Sequence, residues 1–308
     1  MQYRSIGQLD ASVVGLGCNN FGMRIDAGQT KLVVDAAIDA GINYFDTAEG
    51  YGAGQSEEFL GAALRGRRDQ VLIATKWGML PTPDDDPPTG SASAVRVAVE
   101  ASLTRLGTDY LDHYQYHRPD GRTPITETMG ALAELVAQGK VREIGCSNFD
   151  AIQLAEAETV ASDTGIPRFQ TVQNHYSLLT RDPETDGVLD ICGQQGVGFV
   201  PFFPLESGVL TGKYTFGEAA PDGTRLASMG DRAKRFLNDE RAPRVAAMTA
   251  WAESTGHTLL DAAIAWLVAD HRVTSVISGA TRPEQVVANA AAAAWVMTPA
   301  QRAELSEL

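Results

Sequence analysis

The chain is short of cations: 25 Lys and Arg stand against 39 Asp and Glu among 308 residues, a net charge of −14. Such a surface repels nucleic acid and anionic membranes, so neither is expected as a partner. An anionic small ligand is still allowed, because a local site can be basic inside an acidic molecule. Cysteine is scarce too. Cys18, Cys146 and Cys192 are widely spaced, with no CxxC pair. That argues against a disulfide framework and a zinc knuckle, and for buried thiols in a reducing compartment. No apolar run approaches the roughly 20 residues that cross a bilayer. The opening MQYRSIGQLD lacks the basic-then-apolar layout of a secretory signal. HExxH and GxSxG are missing, which removes the metalloprotease and serine hydrolase readings. There is no repeat, heptad or domain-scale linker. The expectation is one cytoplasmic domain over residues 1–308.

What is present is alternation. Apolar strand candidates recur at Val13–Leu16, Asn43–Asp46, Val71–Thr75, Tyr110–Tyr116, Val141–Cys146, Phe169–Gln173, Gly198–Phe202 and Val273–Ile277. Helix candidates follow them in turn at Gln29–Asp39, Glu57–Leu64, Ser93–Leu106, Thr126–Gln138, Ala151–Ala161, Thr185–Gln194, Pro243–Glu253 and Pro283–Ala294. Strands alternating with helices of this length predict a parallel sheet with helices outside. Eight units are the number that closes a (β/α)8 TIM barrel. A doubly wound sheet would carry GxGxxG in its first turn, but Gly15-Leu-Gly17-Cys-Asn-Asn-Phe-Gly22 places the third glycine wrongly. MQYRSIGQLDASVV predicts an N-terminal β-hairpin turning at Gly7–Asp10. Two long loops follow the third and seventh strands: Gly78–Gly90, with its prolines and Asp84–Asp86, and Thr211–Asn238. Both fall on the barrel face where active sites sit. The triple aspartate reads as a solvated surface run.

Barrel chemistry comes from strand C-terminal ends. The second strand ends in Asp46 and leads through Glu49-Gly to Tyr51. The third ends in Lys76 and the fourth in His117. Each alone has an ordinary structural explanation, but four such residues on adjacent strand ends form a set. A tyrosine hydroxyl with pKa ~10 is a poor acid at neutral pH, and a nearby Lys⁺ favours its ionisation. A carboxylate would hold that lysine charged, and a histidine could donate to a carbonyl oxygen. Together these groups could stabilise an oxyanion and protonate it, with hydride coming from a cofactor. His113 lies four residues before His117, roughly 13 Å deeper along an extended strand, and reads as a buried interior histidine. An HxxxH metal pair would need a helix there, so no metal site is expected.

Several stretches, in order, resemble the aldo-keto reductase superfamily. They are Asp46-Thr-Ala-Glu-Gly-Tyr51-Gly, Thr75-Lys76, Gln115-Tyr-His117-Arg-Pro-Asp, Gly139-Lys-Val-Arg-Glu-Ile-Gly-Cys-Ser147-Asn148-Phe, Gln173-Asn-His-Tyr, Leu205-Glu-Ser-Gly-Val-Leu-Thr-Gly-Lys213-Tyr and Gly279-Ala-Thr-Arg282-Pro-Glu-Gln285. The resemblance covers nearly the whole chain. It implies a (β/α)8 barrel and NADPH-dependent reduction of aldehydes or ketones, with NADH less favoured. Tyr51 would be the proton donor, Lys76 its tuner, Asp46 the partner of Lys76, and His117 the residue orienting the carbonyl. Ser147, Asn148 and Gln173 would hold the carboxamide, and Phe202 would stack on the nicotinamide. Lys213 would meet the pyrophosphate, and Leu205, Ser207 and Gly208 before it would also bind the cofactor. Thr281, Arg282 and Gln285 would surround the adenosine 2′-phosphate, with Asn289 near the adenine and Gly279 also among the cofactor contacts, Arg282 carrying the preference for NADPH. The sequence departs from the family pattern at Phe203, where Ser is common, at Ser278, where Pro is common, and at Gly279, where some members use Lys.

Phe21 and Trp77 follow strand candidates and are expected to wall the carbonyl pocket, with Asn19, Asn20, Met23 and Arg24 as possible additions. The expected partner is a small carbonyl compound; the oligomeric state is left open. Two other readings remain: an NADPH-binding redox sensor or regulatory subunit with little turnover, and a barrel aldolase using Lys76 as a Schiff base.

Overall fold

In the computed structural model, which describes residues 1–79 and 86–308, the chain opens with an antiparallel hairpin of β1 (Tyr3–Ile6) and β2 (Leu9–Ser12). Ile6 pairs with Leu9, so the turn is Gly7–Gln8, tighter than the Gly7–Asp10 expected. Gly7 has φ 55°, which glycine adopts without steric cost.

Eight parallel strands follow: β3 (Val14–Gly17), β4 (Tyr44–Asp46), β5 (Leu72–Trp77), β6 (Leu111–Tyr116), β7 (Val141–Ser147), β8 (Thr171–Gln173), β9 (Gly198–Phe199) and β10 (Val276–Gly279). From β3 to β9 each pairs with the next in sequence, and β10 pairs with β3. A parallel bridge between Phe199 and Val273, with Phe199 N donating to Arg272 O at 2.8 Å, closes the ring. The fold is the expected (β/α)8 barrel. Its hairpin packs Ile6, Leu9 and Ala11 against Tyr44, Ala74, Val200 and Ile277. Arg4 donates to the carbonyls of Val268, at 2.6 Å, and of Val273, which leads into β10. The hairpin therefore stoppers the end of the barrel where strands begin.

The helices are α1 (Ala27–Asp39), α2 (Gln55–Ala63), α3 (Ala92–Leu106), α4 (Ile125–Ala137), α5 (Ala151–Thr164), α6 (Val188–Gln195), α7 (Arg241–Ser254), α8 (Leu259–Val268), α9 (Pro283–Ala292) and α10 (Pro299–Ser306). Local chemistry sets several starts. The Asp26 side chain caps α1, and Asp150 with Gln153 forms a capping box on α5. The eight expected strands and eight expected helices are all present, with ends shifted by a few residues. α8 and α10 are additional. α8 is buried on nearly every side, so it lacks the polar face that makes a helix visible as a periodic pattern. Within the expected Gly78–Gly90 loop, residues 80–85, including Pro81, Pro83, Asp84 and Asp85, lie outside the described residues. The loop after β9 is long, as expected, and carries a 3₁₀ segment at Ala227–Arg235.

The barrel interior is partly polar. His113 is fully buried, with Tyr44 Oη at 2.8 Å from its Nδ1 and Thr171 Oγ1 at 3.2 Å from its Nε2. Burial, with Lys76 nearby, pushes this imidazole down to about 3, so it is a neutral interior residue. Gly145 on β7 makes room for it, since a Cβ there would lie 2.5 Å from His113 Nε2.

Candidate active site

Strand register decides what meets at the far end of the barrel. β4 aligns with β5, β5 with β6, and β7 with β8, so Asp46, Lys76, Gln115 and Gln173 converge on the barrel axis. Lys76 Nζ is fully buried and donates to Asp46 Oδ2 at 2.7 Å and to Thr47 O at 2.8 Å. Asp46 Oδ1 accepts from Gln173 Nε2 at 3.0 Å and from Gln115 Nε2 at 3.3 Å. A buried charge is tolerated only when paired and hydrogen-bonded, and both charges here are. Burial works against the Lys76 charge, but Asp46 and Tyr51 outweigh it and hold Lys76 above the usual lysine range.

Tyr51 enters over this pair from the loop after β4. The turn that carries it needs left-handed backbone at Gly52 (φ 57°), Ala53 (φ 54°) and Gly54 (φ 93°). Gly52 also lies close to its neighbour: a Cβ there would sit 2.9 Å from Phe21 O. The Tyr51 ring centroid lies 5.3 Å from Lys76 Nζ and 5.9 Å from the His117 ring, edge to face. Burial pushes the Tyr51 phenol up, and Lys76 pulls against that rise. The phenol is therefore protonated at neutral pH and can donate. Burial, with Lys76 and Arg118 adding to it, pushes His117 down to about 3. Its imidazole is thus neutral and keeps a single ring N–H as a hydrogen-bond donor.

These groups sit at the bottom of a cavity of about 730 Å³ lined by Asp46, Tyr51 and His117. Every residue put forward above as a cofactor contact lines the same cavity, from Ser147, Asn148, Gln173 and Phe202 through Lys213 to Arg282 and Asn289. Asn148 has φ 59°, its N–H bound to Gln173 O and its Nδ2 to His117 O at 2.9 Å. Beyond β9, Glu206 (φ 47°), Ser207 (φ 58°) and Gly208 (φ 96°) form a left-handed run. Lys213 folds back over it: a Cβ on Gly208 would meet Lys213 Nζ at 2.7 Å. Thr281 N donates to Gln285 Oε1 at 2.8 Å at the start of α9, where Arg282 is the exposed cap residue.

The donor set fits a dinucleotide. Ser207 Oγ, Ser278 Oγ and His117 Nδ1 are buried polar atoms in residues lining the cavity that have no partner among the described residues. Arg24, Arg118, Lys213, Arg225 and Arg282 all line the cavity without an ion pair among the described residues. In a chain of net charge −14, this local excess of positive charge suits an anionic ligand. Arg118 and Arg225 were not singled out in the sequence. The first directly follows His117, which was a usable signal; the second lies in an irregular loop and gave none.

Two expectations are corrected. Phe21 is fully buried beneath the Tyr51 turn, and Trp77, 1% exposed, stacks on Tyr114 and Tyr116 with its Nε1–H on Thr89 O. Neither lines the cavity. Trp77, next to the inward-facing Lys76 at the end of β5, points outward from the barrel, and Phe21, in the loop after β3, packs into the core. Phe203, set down only as a departure, does line it. It is 38% exposed with φ 52°, and the Arg225 guanidinium lies 5.2 Å from its ring. Asn19, Asn20 and Arg24 also line the cavity; Met23 does not.

Comparison with known proteins agrees with the geometry. The Aldo/keto reductase family model matches residues 13–308. The chain is 36% identical over 299 residues to a probable voltage-gated potassium channel subunit beta of Arabidopsis thaliana, covering 94% of this chain and 90% of that protein. It is 33% identical over 303 residues to the L-glyceraldehyde 3-phosphate reductase of Escherichia coli K12, covering 94% and 86%. An uncharacterized oxidoreductase of Bacillus subtilis is 34% identical over 299 residues, covering 93% and 89%. With this match over nearly its whole length, and with Tyr51 poised over a buried Asp46–Lys76 pair, the chain belongs to the aldo/keto reductase family.

Proposed function

We propose that this protein is an NADPH-dependent reductase of aldehydes or ketones acting inside the cytoplasm. The observation that carries the reading is the Tyr51 phenol held over the buried Lys76–Asp46 pair and beside a neutral His117, at the floor of a cation-lined cavity. When bound, the nicotinamide supplies hydride to the carbonyl carbon. The chain's own residues do the rest. Ser147 and Asn148 would hold the carboxamide, together with Gln173, whose Nε2 is held by Asp46 and whose Oε1 would accept. Phe202 gives the ring an apolar wall. Lys213 would meet the pyrophosphate and Arg282 the 2′-phosphate. The neutral His117 donates to the carbonyl oxygen and orients it. Tyr51 passes its proton to that oxygen as negative charge develops there, and Lys76 stabilises the phenolate left behind. Asp46 keeps Lys76 charged and in place.

The test is NADPH oxidation, followed by its absorbance, against a panel of aldehydes, ketones and dicarbonyls. Tyr51→Phe should lower turnover by a factor on the order of 10² or more with NADPH affinity nearly unchanged; full activity in that variant would remove Tyr51 from its role. Arg282→Ala should weaken NADPH more than NADH, and equal losses would argue against a 2′-phosphate contact. The similarity to potassium channel beta subunits supports a second reading, an NADPH-binding regulator with little turnover. Tight NADPH binding without turnover on any carbonyl would favour it.

A further inference from the structure

Behind Phe202 lies a polar cluster that the chemistry described so far does not use. β8 and the chain after β9 continue side by side past their ladders, and a parallel bridge pairs His175 with Phe202. That register puts both rings on one face. They stack with centroids 5.5 Å apart and planes 17° from parallel, and Phe203 meets His175 edge-on at 5.7 Å. After Phe202 the chain turns back, with Glu206 N bound to Phe203 O at 3.0 Å. The turn brings the fully buried Glu206 carboxylate to His175. Its Oε1 accepts from His175 Nε2 at 2.7 Å, Ser177 Oγ at 2.7 Å and Thr180 Oγ1 at 2.8 Å. Its Oε2 accepts from Arg241 Nη1 at 2.8 Å, at the start of α7. Glu206 itself, and Ser207 after it, are held at positive φ. Non-glycine residues hold that conformation only where their surroundings over-determine it.

We infer that His175 and Glu206 are positioning residues for the nicotinamide half of the cofactor. His175 backs Phe202 so that its ring stays flat against the cavity. Glu206 locks the orientation of His175 and fixes the bend that leads into the Ser207–Gly208 turn. The inference rests on the proposed cofactor site. A lone hydrogen-bonded histidine under a loop would be a packing feature. Here the same carboxylate joins the backing ring, the strained turn and α7, so disturbing it reaches the cavity wall directly.

The experiment compares wild type with Glu206→Gln and His175→Gln. The second is the milder change, since it keeps an N–H donor and removes only the ring. The measurements are kcat, the affinity for NADPH, and the affinity for adenosine 2′-monophosphate, which has the adenosine end of the cofactor but neither its pyrophosphate nor its nicotinamide. Losing a hydrogen bond to a buried charge, or the ring behind Phe202, should weaken NADPH or slow turnover about tenfold. Adenosine 2′-monophosphate should bind within about twofold of wild type. Variants that bind NADPH and turn over like wild type would overturn the inference. So would variants that lose both ligands equally, since that is general loosening. A wild-type chain that neither binds nor oxidises NADPH would overturn the reductase reading and this inference with it, which keeps the two failures distinct.

Discussion

His117 and Glu206 show how one barrel rim treats two titratable side chains in opposite ways. Burial strips His117 of charge, lowering its pKa from 6.5 to about 3. Burial also opposes the charge of Glu206, but the donors His175, Ser177 and Arg241 overcome it and bring that carboxyl from 4.5 to about 2. Both folded pKa values lie below the unfolded ones. The unfolded chain therefore takes up protons first in acid, and stability falls with pH in both cases. The windows differ: about 6.5 to 3 for His117, and about 4.5 to 2 for Glu206. Urea unfolding across acid pH should show His117→Gln losing less stability than wild type in the upper window. Glu206→Gln should lose less in the lower one. Parallel curves for variant and wild type would mean that these groups titrate alike in the folded and unfolded chains.

At the scale of elements, the outer helices contact one another as closely as the interior does. α2 and α3 meet at Gly61, where an added Cβ would lie 2.2 Å from the Leu106 carbonyl oxygen. Backbone cannot swing aside as a side-chain end can. Gly61→Ala should therefore destabilise by about 1–3 kcal/mol despite the better helix propensity of alanine. A thermal unfolding midpoint equal to or above that of wild type would show that the helices can slide apart at small cost. The same contact has a bearing on the site. α2 carries the buried Glu57, bound to Arg105 on α3 and accepting from Thr75 Oγ1 at 2.5 Å, next to Lys76 on β5. Helix packing and the position of the lysine-bearing strand are therefore mechanically linked.

For the whole molecule, the two ends of the barrel divide the work. The end where strands begin is stoppered by the hairpin, with Ile6 1% and Leu9 2% exposed. The other end holds the cavity. Ile6→Ala should cost about 2–5 kcal/mol of stability through the space it leaves. Turnover per folded molecule should be unchanged, because Tyr51, Lys76 and His117 lie at the opposite end. A fall in kcat at a temperature where the variant is fully folded would show that the stopper shapes the site through the strands.

How much of this was legible in the chain follows from range. Alternation of period and length is local, so eight strands, their helices and the polar strand ends Asp46, Lys76 and His117 could be read in order. Tyr51 was visible because it follows closely on the strand that ends in Asp46, a local relation in the chain. α8 was missed because a helix buried all round carries no amphipathic signature. Trp77 was misplaced because a strand end gives two faces, and which faces the cavity depends on barrel tilt and on the rings packed against it; Phe21 was misplaced because the path of the loop after β3 is set by what packs over it. Arg225 and the His175–Glu206 pair rest on contacts between segments far apart in sequence, brought together in three dimensions. The sequence by itself determined the barrel and the residue types at its rim. Only tertiary structure decided which of them share a cavity and which charges there stay unpaired, because close approach across the barrel is a property of closure, not of any one strand.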